Sequence, residues 1–267
     1  LSDVAVAPDE DSIVTRTFMV VTLASLLLAA GSAWAGDPML PLPPEDQQKI
    51  TTELGAGIVG QALPSRPIEN TSTYLPLRER ALTYHVTAGP NGGKTQRLGL
   101  SKARRSNGRS AWRFQFSPTL SGFLRQTVDG DLMMPSVTDT GEGVVVITTP
   151  ANPFVLKGMK PGETRSYTQQ VAVIPLDDPT DQEYSGSLNG AYTYVGTYKV
   201  TVPAGTYEAI LLRLKCTGKV GPAETKDAAY YFFAPGVGVV AMISQEDATA
   251  FWIIHIDTSS GKVLASK

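Results

Sequence analysis

The feature that most limits what this chain can become is a period-two alternation of apolar and polar side chains. It runs from Arg80 to the C-terminus and is broken by a turn signal every 8–15 residues or so. In "ALTYHVT" Leu82, Tyr84 and Val86 fall on one side and Thr83, His85 and Thr87 on the other, the pattern of a half-buried strand. "YVGTYKVTVPAGTYEAILLRLKCTG" reads as a hairpin bent at Pro203-Ala204-Gly205, with Ile210, Leu212, Leu214 and Cys216 on one face of its second strand and Arg213 and Lys215 on the other. In "YYFFAPGVGVV" Pro235-Gly236 fits the two central positions of a type II turn. Tyr231 and Phe233 then share one face, while Tyr230 and Phe232 share the other. Gly89 to Gly93, Asn107-Gly108, "VDGD", "TGEG" and "KPGE" supply further turns. About ten strands are expected, giving a mainly β chain: an antiparallel curved sheet, either half-barrel or sandwich.

The region before Arg80 differs. After Arg16, "TFMVVTLASLLLAAGSAWA" is an uncharged apolar run ending in Ala33-Trp34-Ala35, the layout of a secretory leader cleaved after Ala35. Residues 1–14 are acidic rather than basic, so translation is expected to start near Val14, with Arg16 as the positive flank. Residues 36–75 form a Pro-rich lead-in and a short amphipathic helix. Pro44, Glu45 and Asp46 suit a helix start, and Ile50, Leu54 and Ile58 recur at four-residue spacing. Residues 76–267 make the β domain. After processing no transmembrane span and no disulfide is expected, since Cys216 is the sole cysteine; a small core residue suits it better than a reactive thiol.

Residues 1–35 hold four acids and one base, so the processed chain keeps 22 basic and 21 acidic side chains. That balance argues against a nucleic-acid partner. Charge is nonetheless uneven. Residues 80–128 contain no Asp or Glu, and Lys102, Arg104, Arg105 and Arg109 cluster around the Asn107-Gly108 turn. Such a tip is a candidate contact for anionic headgroups, or simply a charged edge that discourages strand-to-strand aggregation.

Catalytic and cofactor motifs are weak. Gly55-Ala56-Gly57-Ile58-Val59-Gly60 spells G-x-G-x-x-G but follows a polar, helix-like segment and precedes Pro64 and Pro67, so no dinucleotide cofactor is expected. Ser259-Ser260-Gly261-Lys262 has the S-x-x-K spacing, yet its glycine marks it as a hairpin turn. His85 and His255 are the only histidines. A hydrolase built on either needs a Ser or carboxylate brought within hydrogen-bond reach, and neither has a zinc-ligand neighbour in sequence. Asp177, Asp178, Asp181 and Glu183 form the only acidic cluster, a weak Ca²⁺ candidate beside the reading of a solvated loop.

"VTVPAGTYEA" followed by "YYFFAPGVGVV" resembles the C-terminal half of uncharacterised exported β-rich proteins of Gram-negative bacteria, over residues 190–257. A similar hairpin pair occurs in folds resembling the lipoprotein-carrier half-barrel. The resemblance implies a periplasmic or secreted protein, with a curved sheet able to hold something apolar, and brings no catalytic residue. The expected role is non-enzymatic: binding an apolar or amphiphilic envelope molecule, with Tyr231, Phe233, Phe251 and Trp252 as candidate lining residues. The alternative is an envelope assembly partner with a filled interior.

Overall fold

The structure, a computed structural model, describes residues 37–104, 110–250 and 254–267; the side chains of residues 104, 110, 248–250 and 254–257 are outside that description. The leader, the Asn107-Gly108 turn, Arg105, Arg109, Phe251 and Trp252 therefore lie outside the described residues.

Helix α1 spans Pro44–Leu54, strand β1 Val59–Leu63 and the single turn α2 Thr71–Tyr74. Seven strands follow: β2 (Arg80–Ala88), β3 (Thr95–Arg104), β4 (Ser110–Gln115), β5 (Leu120–Gln126), β6 (Leu132–Asp139), β7 (Val144–Val155) and β8 (Thr164–Pro175). Then come β9 (Tyr184–Val202), β10 (Gly205–Val220), β11 (Ala223–Ala234), β12 (Gly238–Ala250) and β13 (Ile254–Ser266).

From β2 to β13 every strand pairs antiparallel with the next, and β13 returns to pair with β2, so twelve strands close into an up-and-down barrel. The expectation of a half-barrel or sandwich is corrected by this seam, in which Gly261 opposes Ala88, Lys262 opposes Val86 and Leu264 opposes Tyr84. Closure removes the free edges that an open sheet would expose. Ser259 to Lys262, read as a turn, lie within β13, because the glycine serves close packing rather than chain reversal.

The inward face is fixed by ring contacts that only a lumen allows. Phe154 on β7 meets Tyr231 and Phe233 on β11, with centroids 5.3 and 5.5 Å apart. Phe114 and Phe116 join them from β4 and the turn after it. Cross-strand pairing carries this assignment round the barrel, since opposed residues share a face. On β2 to β5 the inward Leu98, Leu100, Phe114 and Leu124 are buried, while Arg97, Arg113 and Arg125 point outward and are exposed. An outer face carrying exposed Arg97, Arg113 and Arg125 differs from the apolar, lipid-facing outside of a membrane-spanning barrel. Among the described residues no helix is long and apolar enough to cross a membrane.

One end of the barrel is stoppered by residues 64–79. Their backbone bonds to two turns and a strand at that end: Ile68 N–H donates to the Met159 carbonyl and the Ile68 carbonyl accepts from Gly158 N–H, the Thr73 carbonyl accepts from Gly236 N–H, and the Arg66 carbonyl accepts from the Tyr194 hydroxyl. Thr71 adds a bond to the Gly130 carbonyl, and Ile68, Leu75 and Met159 are fully buried beneath. The Pro235-Gly236 turn forms as its sequence requires, with Gly236 at φ +72° and Val237 N–H donating to the Ala234 carbonyl.

Helix α1 lies on the outer surface over β12, β13 and β2, burying Ile50 and Leu54. It ends at Gly55, whose φ of +104° few other residues adopt. The Glu53 carbonyl accepts from the Thr87 hydroxyl at 2.5 Å and sits directly over Gly261. A methyl at Gly261 would collide with that carbonyl. Replacing Gly261 with Ala should therefore cost about 1–3 kcal/mol in urea unfolding and speed amide exchange across α1; an unchanged midpoint would show that the helix does not depend on this approach.

Candidate functional site

Moving along the lumen away from the stoppered end, the inward side chains change character rung by rung. The first layer is aromatic, built by Phe233 and Phe154. Next comes the rung Leu212, Tyr231, Met242, Lys262, and then the rung Leu214, Ala229, Ser244, Ser260. The outermost of these rungs is Cys216, Asp227, Glu246 and Thr258. Ser244 and Glu246 point inward yet are exposed, so solvent reaches the lumen from this end.

Between the aromatic layer and the serines is a cavity of about 170 Å³. Phe116, Leu120, Phe154, Tyr231 and Met242 form much of its apolar wall, and Asn152, Ser244 and Lys262 bring its polar groups. The pocket follows from sequence in a simple way. Alternation turns Tyr231 and Met242 inward, and the turn after β4 folds Phe116 back over Gly122, where a side chain would meet that ring and the Met134 thioether.

Lys262 is the unusual member. It is only 6 % exposed, and its Nζ donates to Ser260 Oγ at 3.2 Å. Among the described residues no carboxylate lies within ion-pair distance of it. Burial pulls its ammonium below the ordinary lysine range. Nearer the mouth, Asp227 is pushed up to about 6, chiefly by burial and further by Glu246, against the opposing hydrogen bond from Thr225. Glu246 is raised by burial first, then by Glu142 and Asp139. The Cys216 thiol is also raised by burial, and it lies 3.8 Å from the Tyr167 hydroxyl, which suits an unreactive core group.

A second charged cluster, on the outer face, is structural. Asp46 is wholly buried under α1, takes a 2.5 Å bond from Arg213 Nη1 and accepts from the Tyr230 hydroxyl at 3.1 Å. Glu45 accepts from Lys215 at 3.0 Å and from Arg213 at 3.3 Å, and Lys215 first, then the Arg213 charge, holds its carboxyl below the usual range.

The sequence-predicted residues separate clearly. Tyr231 lines the cavity, and Phe233 is fully buried in the aromatic layer beneath it. Phe251 and Trp252, with Arg105 and Arg109, lie outside the described residues, and of Arg104 only the backbone is described. Lys102 is exposed, with its Nζ 6.0 Å from the Trp112 ring centre. Asp177, Asp178, Asp181 and Glu183 are all exposed on the β8–β9 loop; Asp178 turns back to accept from Thr180. No metal-holding group of three or more His, Cys, Asp or Glu forms among the described residues. His85 is half-buried on the outer face, and among the described residues it bonds to no serine or carboxylate. Sequence reasoning missed Lys262, Asp227 and Glu246. For Asp227 the signal was present, because it shares the parity of Tyr231 and Phe233.

No family model and no curated protein matches this chain. Two solved structures are similar to it. One is a "putative lipoprotein" from Parabacteroides distasonis, 10% identical, with a TM-score of 0.36 over 73% of this chain and 97% of that one. The other is a "putative exported protein with YmcC-like fold" from Bacteroides fragilis, 12% identical, with a TM-score of 0.35 over 76% of this chain and 98% of that one. Both likenesses are too distant to carry fold or function across.

The mouth acid gives a pH dependence whose sign is set by its direction. A carboxyl at about 6 in the fold, against 3.8 when free, binds its proton more tightly folded than unfolded. Its contribution is best below about pH 4 and is lost as pH rises through 6. Replacing Asp227 with Asn should stabilise the protein at pH 7.5 by about 1–3 kcal/mol and change little at pH 4. Denaturant titrations at the two pH values check this; equal effects at both would remove Asp227 as the titrating group.

Proposed function

We propose that this is an exported, non-enzymatic β-barrel that binds an apolar or amphiphilic small molecule of the cell envelope in its lumen. The observation that carries this reading is the apolar cavity between the aromatic layer and the serine rung, in a lumen stoppered at one end and, among the described residues, reached by solvent at Ser244 and Glu246 toward the other. Export rests on the leader-like run before Gly36.

At about 170 Å³ the cavity is close to the size that accepts a single small apolar ring, and well below that of drug-sized pockets. It therefore takes one ring or the end of a short chain, and the rest of the molecule faces the mouth. The assembly reading required a filled interior; here the cavity interrupts the packing beyond the aromatic layer, although Val171, Leu188 and Cys216 form a small buried cluster nearer the mouth. For the hydrolase reading, His85 bonds to no serine or carboxylate among the described residues, and the His255 side chain lies outside them.

Filling the cavity from its wall tests the reading. The neutral probe N-phenyl-1-naphthylamine should bind the mature protein with a rise in fluorescence. Leu214→Trp, which adds volume from the lumen wall, should weaken binding at least ten-fold while far-UV circular dichroism stays unchanged. Absence of probe binding to the unaltered protein, or equal binding by a folded Leu214→Trp variant, would overturn it.

A further inference from the structure

We propose that the lumen site selects amphiphiles with an anionic head, the Lys262 ammonium receiving a carboxylate or phosphate while the chain lies against Phe116, Phe154 and Tyr231. This rests on the reading above that the cavity holds a ligand.

The argument begins with what Lys262 lacks. An ammonium has three donors. Among the described residues one is met by Ser260 Oγ at 3.2 Å, and no carboxylate neutralises the charge. The residue is 6 % exposed and forms part of the wall of a largely apolar cavity. A methionine would fill the same space without removing a charge from water, so packing alone does not account for lysine here. A buried cation with free donors, aimed into a cavity, is half of an ion pair whose other half comes with a ligand. Ser244 and Ser260, one rung nearer the mouth, offer hydroxyls to the remaining head-group oxygens.

The opposing charges are farther away. Asp227 and Glu246 also face the lumen, with Glu246 about 13 Å along the strand from the Lys262 rung and about 7 Å from the serine rung. Both acids stand farther from the proposed head-group position than the ammonium that would touch it, and Coulomb energy falls with distance. Repulsion from the mouth also acts beside solvent at the exposed Glu246, whereas the contact with Lys262 forms at a nearly buried position. The second interaction dominates, and the anion is favoured.

Three eight-carbon ligands separate the possibilities by calorimetric titration of the mature protein: octanol, octanoate and octyl phosphate. Octanoate or octyl phosphate should bind at least ten-fold more tightly than octanol, and whichever wins names the head group. Lys262→Met should remove that advantage and leave octanol binding within about three-fold. Equal binding of all three to the unaltered protein, or an anion preference that survives in Lys262→Met, overturns the anionic selection and leaves the apolar site standing. Failure of all three to bind overturns both. The comparison on the unaltered protein decides the matter even if the variant does not fold.

Discussion

Everything in this fold depends on the seam between β13 and β2, where the last strand of the chain pairs with the first strand of the barrel. A twelve-strand meander without that seam would be an open sheet with two long unpaired edges. The seam is irregular in register, with shifts between Gly261 and Lys262 and between Leu264 and Ser266. The first shift falls on β2, where Thr87 is skipped between Ala88 and Val86, while β13 keeps its register against β12. Plain alternation along β13 therefore puts Gly261 outward beneath α1 and Lys262 inward with Ser260, and the skipped Thr87 meets the helix through the Glu53 carbonyl.

Alternation made most of the inward face legible from sequence. Tyr84 with Val86, Ile210 with Leu212, and Tyr231 with Phe233 all point where period two places them, and the Pro235-Gly236 turn falls at the expected residues. Closure was not legible, because pairing β13 with β2 joins residues more than 170 positions apart and leaves no local mark. Lys262 was hidden for a related reason. A glycine beside a lysine near the end of a chain reads as a solvated turn, and only the pairing of β13 with β12, where Met242 opposes Lys262, shows that this lysine faces inward. The double burial of β10 was equally invisible: Leu211 is outward by parity, yet it is fully buried.

The lumen is graded rather than uniform, and the grading follows from how the two ends are built. At the stoppered end residues 64–79 bring Ile68 and Leu75 against the turns, so apolar and aromatic side chains there find partners on all sides. At the other end the inward positions include Ser244, Asp227 and Glu246, which tolerate water, and of these Ser244 and Glu246 are exposed. The cavity sits where these regimes meet. Aromatic rings are too rigid to collapse into the space left by the small residues Ala229, Ser244 and Ser260.

The outer charge cluster bears on the same seam. Exchanging a buried ion pair for apolar groups is often neutral or favourable, so the Asp46–Arg213–Tyr230 contact is weak evidence of stabilisation for its own sake. Its geometric effect is clearer. Asp46, at the helix start, binds β10 and β11, while Glu53, at the helix end, accepts from Thr87 on β2 and rests on Gly261 of β13. The helix is thus fixed at both ends across the strands that flank the closure. Apolar packing by Ile50 and Leu54 would tolerate a small slide along the sheet, but a directional ion pair does not. Holding α1 in register keeps the Gly261 backbone under its carbonyl, and that backbone position determines where the next residue, Lys262, enters the lumen. The last turn of the helix and the inner cation thus meet the barrel wall at neighbouring residues from opposite sides, Glu53 over Gly261 outside and Lys262 inside.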